Sequence, residues 1–155
     1  MTRRLEGRRA IVTGASRGIG VGIAERLAAE GADVALVART LDKHRSLPGS
    51  LQETRRACQK YGTRIVCVVA DLTDEQSRSR VVPQAVEMLG GTIDILVNNA
   101  AASIAVPLTE VSVRRQRIAY ECNVIAPLHL SQDVIAGMRS AGAPGAGRWK
   151  TPRTP

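Results

Sequence analysis

Ala10-Ile11-Val12-Thr13-Gly14-Ala15-Ser16-Arg17-Gly18-Ile19-Gly20 is the stretch on which the fold turns. Three apolar residues run into a glycine-rich turn, and a helical pattern then holds over 18–30 until Gly31 stops it. Glycine lets the backbone turn tightly and approach a pyrophosphate. The helix that follows offers its unpaired N–H groups and the positive end of its dipole to the same anion. A glycine trio can also serve a plain turn, so the flanks decide. A strand precedes it, a helix follows, and a second apolar strand comes at Asp33–Ala38. The reading is a βαβ unit whose turn holds a dinucleotide, with Gly14, Ser16, Arg17, Gly18, Ile19 and Gly20 as cofactor-binding residues.

The alternation continues outward. Residues 41–50, with Pro48-Gly49, read as a loop, and 51–61 as a helix ended by Gly62. A third strand is expected at 64–70, a helix at 74–89 with Thr73 or Asp71 as its cap, and a fourth strand at 93–97. Strands and helices at this spacing predict the α/β class: a Rossmann-type, doubly wound parallel sheet with right-handed crossovers. A helical period then runs from Thr109 to Met138, and Pro127 is expected to bend or break it. Residues 141–155 are rich in Gly, Pro and Arg without periodicity and read as a disordered tail, which leaves 1–140 as one dinucleotide-binding domain.

Composition narrows the function classes. Hydrophobic residues make up 44% of the 155 and aromatics only 2%, with no Phe, so the core must be built from Val, Ile, Leu and Ala. That suits a parallel sheet buried on both faces. The net charge of +8 is dispersed over Arg3, Arg4, Arg8 and Arg9, then Arg114, Arg115 and Arg117, then Arg148, Lys150 and Arg153. Without aromatic residues interleaved for base stacking, a nucleic-acid binder is the least favoured reading, and a phosphorylated cofactor suits the charge better. Cys58, Cys67 and Cys122 lack metal-type spacing, so no metal is expected and the thiols read as structural. No apolar run is long enough for a membrane span and no apolar leader opens the chain, so a cytoplasmic location is expected.

Thr13-Gly14-x-x-x-Gly18-x-Gly20 resembles the cofactor fingerprint of the short-chain dehydrogenase/reductase family, and three more stretches match in order. Asp71-Leu72 is similar to the family's adenine-contacting Asp and its neighbour. Asn98-Asn99-Ala100-Ala101 resembles the Asn-Asn-Ala-Gly motif, with Ala101 in place of Gly. Asn123 falls where the family keeps a catalytic Asn. The resemblance covers about residues 6–140. It implies strand order 3-2-1-4 with the later strands missing, and so an open, apolar, association-prone edge at the fourth strand. It implies cofactor-binding roles for Asp71, Leu72, Asn98 and Ala100, with Asn98 fixing the adjacent helix and strand. Asp71 keeps a competing role as a helix cap. The implied reaction is hydride transfer between a nicotinamide cofactor and a small carbonyl or alcohol.

The second strand points to which nicotinamide. An acidic residue about 20 positions past the glycines holds the ribose 2′-OH in NAD-binding units. Here that place falls at Arg39, within Ala38-Arg39-Thr40. With Arg17 in the glycine loop, two guanidinium groups suit a 2′-phosphate, so NADP(H) is expected over NAD(H). The alternative for Arg39 is a solvated strand-end residue.

Other family features are missing. The family's acid–base Tyr is followed four residues later by a Lys that lowers its pKa, with a Ser upstream. In this chain Tyr61 is followed at that spacing by Ile65 and Tyr120 by Val124, and both tyrosines, like His129, read as packing residues. The chain is therefore expected to bind cofactor and to be inactive alone. After Gly147-Arg148 the sequence departs abruptly from the family pattern, which reads as a frameshift, a premature stop or a misplaced gene end. A non-enzymatic NADP-binding or interaction module is the second reading, with self-association through the helix from Thr109 to Met138.

Overall fold

A computed structural model describes residues 3–42 and 48–142; the expected tail beyond Gly142 lies outside the described residues. Four strands, β1 (Arg9–Thr13), β2 (Asp33–Ala38), β3 (Ile65–Val69) and β4 (Ile95–Val97), form one parallel sheet in the order β3-β2-β1-β4. The expected α/β architecture and strand order are thus observed. Val12 lies in register with Leu36 on one side and Val97 on the other.

Alternate residues of each strand point to opposite faces, and both faces are covered. Ala10, Val12, Val34 and Leu36 pack with Ala24 and Ala28 of α1 (Ile19–Ala29) and with Leu51 and Cys58 of α2 (Leu51–Gln59). Ile11, Ala35, Val37 and Val68 pack on the opposite face. There they meet Val81, Ala85 and Leu89 of α4 (Val81–Leu89) and Ala126, Leu130 and Val134 of α6 (Ala126–Ser140). Two-sided burial is why the central strands read as unbroken apolar runs.

Three expectations need correction. The helix expected over 74–89 is two helices, α3 (Glu75–Ser79) and α4, divided at Arg80. Pro83 has no N–H for the Ser79 carbonyl four residues back, and its ring crowds that carbonyl. The cap of α3 is neither Thr73 nor Asp71 but Asp74, whose Oδ1 accepts the Ser77 N–H at 2.7 Å. The helix expected from Thr109 to Met138 is not continuous either. Thr109 sits in a 3₁₀ turn at Leu108–Glu110, and α5 (Val113–Tyr120) starts only after Ser112, whose Oγ accepts the Arg115 N–H at 3.3 Å. A π-helical turn, Glu121–Ile125, then joins α5 to α6. Pro127 follows it in the first turn of α6, so the irregularity expected at Pro127 lies immediately before it.

Candidate cofactor site

The sheet brings all four resembling stretches to its C-terminal edge. Gly14–Gly20 follows β1, Arg39 follows β2, Asp71-Leu72 follows β3 and Asn98–Ala100 follows β4. The chain winds outward in opposite directions from β1, and the switch between β1 and β4 is where open α/β sheets form a ligand crevice.

The glycines of the loop do different jobs. A Cβ on Gly14 (φ +67°) would lie 2.8 Å from the Ala100 Cα, and one on Gly20 would lie 2.3 Å from the Gly14 carbonyl oxygen. Both positions exclude any side chain by close backbone contact. Gly18 has φ +56° but meets nothing within 4 Å, so it serves conformation and leaves the surface over the loop open. Gly18 is also the N-cap of α1 and no side chain caps that helix, while Ile19 beside it is exposed. The first-turn N–H groups therefore face the crevice without a side-chain acceptor, the arrangement that takes a phosphate. Ser16 is buried, and the half-buried Arg17 has an Nη1 with no hydrogen-bond partner among the described residues. Gly49 (φ +88°) brings the next loop so close that a Cβ there would stand 2.3 Å from the Ser16 carbonyl oxygen. These features fit a phosphorylated dinucleotide.

Arg39 is exposed at the end of β2, and its charge acts on Asp71. Burial opposes ionisation of Asp71. The Thr73 N–H (2.9 Å) and hydroxyl (2.8 Å), both donating to Asp71 Oδ1, and the Arg39 guanidinium outweigh it and hold the carboxyl below the usual aspartate range. Asp71 thus closes a local turn while staying a carboxylate acceptor beside the buried Leu72.

At the end of β4 the structural tie is made by Asn99. Its Nδ2 donates to the carbonyls of Thr13 (2.9 Å) and Gly14 (3.3 Å), and its N–H donates to Thr13 Oγ1 at 3.0 Å. Thr13 Oγ1 also accepts the Ala100 N–H at 3.0 Å and donates to the Val97 carbonyl at 3.2 Å. Asn98 is exposed, and its Nδ2 stands 3.4 Å from Ser131 Oγ of α6. Asn123 lies in the π-helical turn and grips one residue with both ends of its amide: Oδ1 accepts the Ala102 N–H at 2.9 Å and Nδ2 donates to the Ala102 carbonyl at 3.0 Å. Its own carbonyl has no α-helical donor, because the residue four positions on is Pro127.

Three residues missed by the sequence reading matter here: Thr13, Asn99 and Arg78. Thr13, a polar residue ending an apolar strand, and the doubled Asn were signals of a polar joint. Arg78 is only 3% exposed, yet it lies in a stretch that reads as solvent-facing, and no pattern marks it. Among the described residues no group of three or more His, Cys, Asp or Glu is placed to hold a metal ion, and no helix is long and apolar enough to cross a membrane.

Fold and crevice together define a Rossmann-type dinucleotide-binding unit. The family model described as short chain dehydrogenase matches residues 8–147, and the chain belongs to that family. It is 44% identical over 101 residues to hydroxysteroid dehydrogenase-like protein 2 of Danio rerio, covering 65% of this chain and 24% of that protein. To L-xylulose reductase of Bos taurus it is 37% identical over 145 residues, covering 94% of this chain and 53% of the relative. Among solved structures, L-sorbose reductase of Gluconobacter frateurii, complexed with NADPH and L-sorbose, superposes with a TM-score of 0.79 at 34% identity, covering 92% of this chain and 51% of that one. A short chain dehydrogenase of Mycobacterium thermoresistibile gives 0.80 at 36% identity, over 86% and 48%. The chain thus spans about half the length of these reductases and dehydrogenases, and about a quarter of the hydroxysteroid dehydrogenase-like relative.

Proposed function

We propose that this chain is the cofactor-binding part of an NADP(H)-dependent oxidoreductase, and that alone it binds the cofactor without turning it over. The observation that carries the reading is the buried Arg17 Nη1 without a partner among the described residues, next to a helix N-terminus that no side chain caps. Arg17 and Arg39 are assigned to the 2′-phosphate, the first turn of α1 to the pyrophosphate, Asp71 and Leu72 to the adenine, and Ala100 to the loop wall. NADPH-bound relatives of similar fold support the choice of nicotinamide. Bound, the nicotinamide supplies a hydride for a small carbonyl or accepts one from an alcohol. Asn123 holds the Ala102 backbone beside that reaction. Acid–base chemistry lacks its pair, since no Tyr here precedes a Lys by four residues.

Calorimetric titration tests this. A charged hydrogen bond to the 2′-phosphate is worth roughly 1.5–3 kcal/mol, or about 10- to 150-fold in affinity for NADPH over NADH. Equal affinities would remove the NADP preference, and no binding of either would remove the cofactor reading. NADPH oxidation with a panel of small carbonyls is expected at background; turnover would refute the inactivity.

A second copy is the proposed macromolecular partner. Val113, Tyr120, Val124, Leu128 and Ile135 are exposed and lie in one stripe along α5, the π-helical turn and α6. Their spacing of seven, four, four and seven residues is symmetric about Val124. An antiparallel two-fold pairing therefore sets Val113 against Ile135 and Tyr120 against Leu128, the self-complementarity an isologous dimer needs.

A further inference from the structure

We infer that Arg78 is a positioning residue for the cofactor crevice, its buried guanidinium tying the adenine-side turn after β3 to the π-helical turn that carries Asn123. The inference rests on the cofactor reading above. Arg78 Nη1 donates to the Leu72 carbonyl at 2.7 Å and to Glu121 Oε2 at 3.2 Å, and Nε donates to His129 Nδ1 at 3.3 Å. These acceptors belong to three separate segments. Leu72 follows Asp71 directly, Glu121 opens the π-helical turn two residues before Asn123, and His129 sits in the first turn of α6.

Burial of an arginine needs a reason, because the charge loses water. Its one carboxylate partner, Glu121, has a side chain 40% exposed, so the ion pair alone is poor compensation. What Arg78 offers that an apolar residue lacks is a rigid fork of donors that reaches several acceptors at fixed angles. Its neighbour completes the brace: the Asp71 N–H donates to Ser77 Oγ at 2.9 Å. Consecutive residues of α3 thus take the N–H of Asp71 and the C=O of Leu72, fixing the turn from both polar groups. The same guanidinium then reaches across to the element that bears Asn123. Adenine contact and Asn123 placement are therefore mechanically joined through one side chain.

The test uses the full chain and titrates NADPH and 2′,5′-ADP, which carries the adenine half alone, into the wild type and into Arg78→Met, Arg78→Lys and Glu121→Gln. Melting curves define the range where each variant is folded. Arg78→Met, measured within that range, is expected to weaken both ligands about tenfold or more. Arg78→Lys should recover part of the loss, since an ammonium reaches some of the acceptors. Glu121→Gln leaves the Leu72 bond in place and should weaken binding about threefold with its melting unchanged. An arginine that only supports the fold would lower the melting temperature and leave these affinities alone. Wild-type affinity in folded Arg78→Met overturns the inference while leaving the cofactor reading intact. If Arg78→Met does not fold, wild-type affinity in both Arg78→Lys and Glu121→Gln overturns it. A wild type that binds neither ligand overturns the cofactor reading, and this inference with it.

Discussion

The two flanks of β1 are held by different forces. Toward β2 the register runs over five pairs, and Val34, Ala35, Leu36 and Val37 are fully buried between two helical layers. Toward β4 it runs over three pairs, and Ile95, Leu96 and Val97 are each only partly buried. What β4 lacks in apolar burial it gains in polar ties. Asp94 takes the Arg9 N–H and the Arg8 guanidinium, each at 2.9 Å, and Thr13 and Asn99 lock the far end. Burial is non-directional and shared by many atoms, whereas a hydrogen-bonded joint depends on each partner. The β2 side should therefore absorb single changes, and the β4 side should yield at one residue.

The largest effect is expected at that joint. Thr13→Val keeps the shape of a side chain 1% exposed but strips the partner from two N–H groups and one carbonyl, at a cost of about 3 kcal/mol. Urea unfolding measures the loss. Amide exchange should show β4 opening well before β1 and β2, and uniform loosening would break the contrast. Next comes a matched pair in α1. Gly20→Ala forces a Cβ to within 2.3 Å of the Gly14 carbonyl and should cost about 2 kcal/mol and much of the NADPH affinity. Gly22→Ala, where a Cβ meets nothing within 4 Å, should stabilise by about 0.5–1 kcal/mol. Equal effects would show that the close backbone contact does not matter. Third, Val124→Glu at the centre of the exposed stripe should convert a dimer to monomer in sedimentation without changing the melt. A wild type that sediments as a monomer would remove the proposed pairing.

The smallest effect lies on the well-covered flank. The Arg4 guanidinium bonded to Glu30, helped by Arg26, holds this carboxyl at about 2 against burial. A carboxyl lowered in the folded state contributes stability in full above its ordinary value and loses it as pH falls toward the folded one. Glu30→Gln should therefore lower the urea midpoint slightly at pH 7. The gap to wild type should close as pH drops from about 4.5 toward 2. A gap unchanged at pH 3 would contradict the assignment.

The strands were legible because two-sided burial leaves apolar runs such as Asp33–Ala38 that few other structures explain. The glycine loop was legible because strand, turn and helix all had to agree. Less was readable where one residue overrides a period. Pro83 divides a stretch whose apolar spacing alone suggests one helix. The joint at Asn99 needed knowledge of which strand lies beside Thr13, eighty-six positions away. Arg78 illustrates a harder limit: a buried cation among polar neighbours looks like any surface arginine until its three acceptors come from other parts of the chain.

The π-helical turn at Glu121–Ile125 acts as a phase correction. It carries one residue more per turn than an α-helix, so deleting one residue there would restore ordinary geometry and swing everything downstream by about 100°. Leu130 and Val134 would leave the core and the outward stripe would break in two. Pro127 would also meet an α-helical carbonyl it cannot satisfy. Two surfaces at right angles to the crevice thus share one clock, and a length change that looks harmless on a helix would reset both.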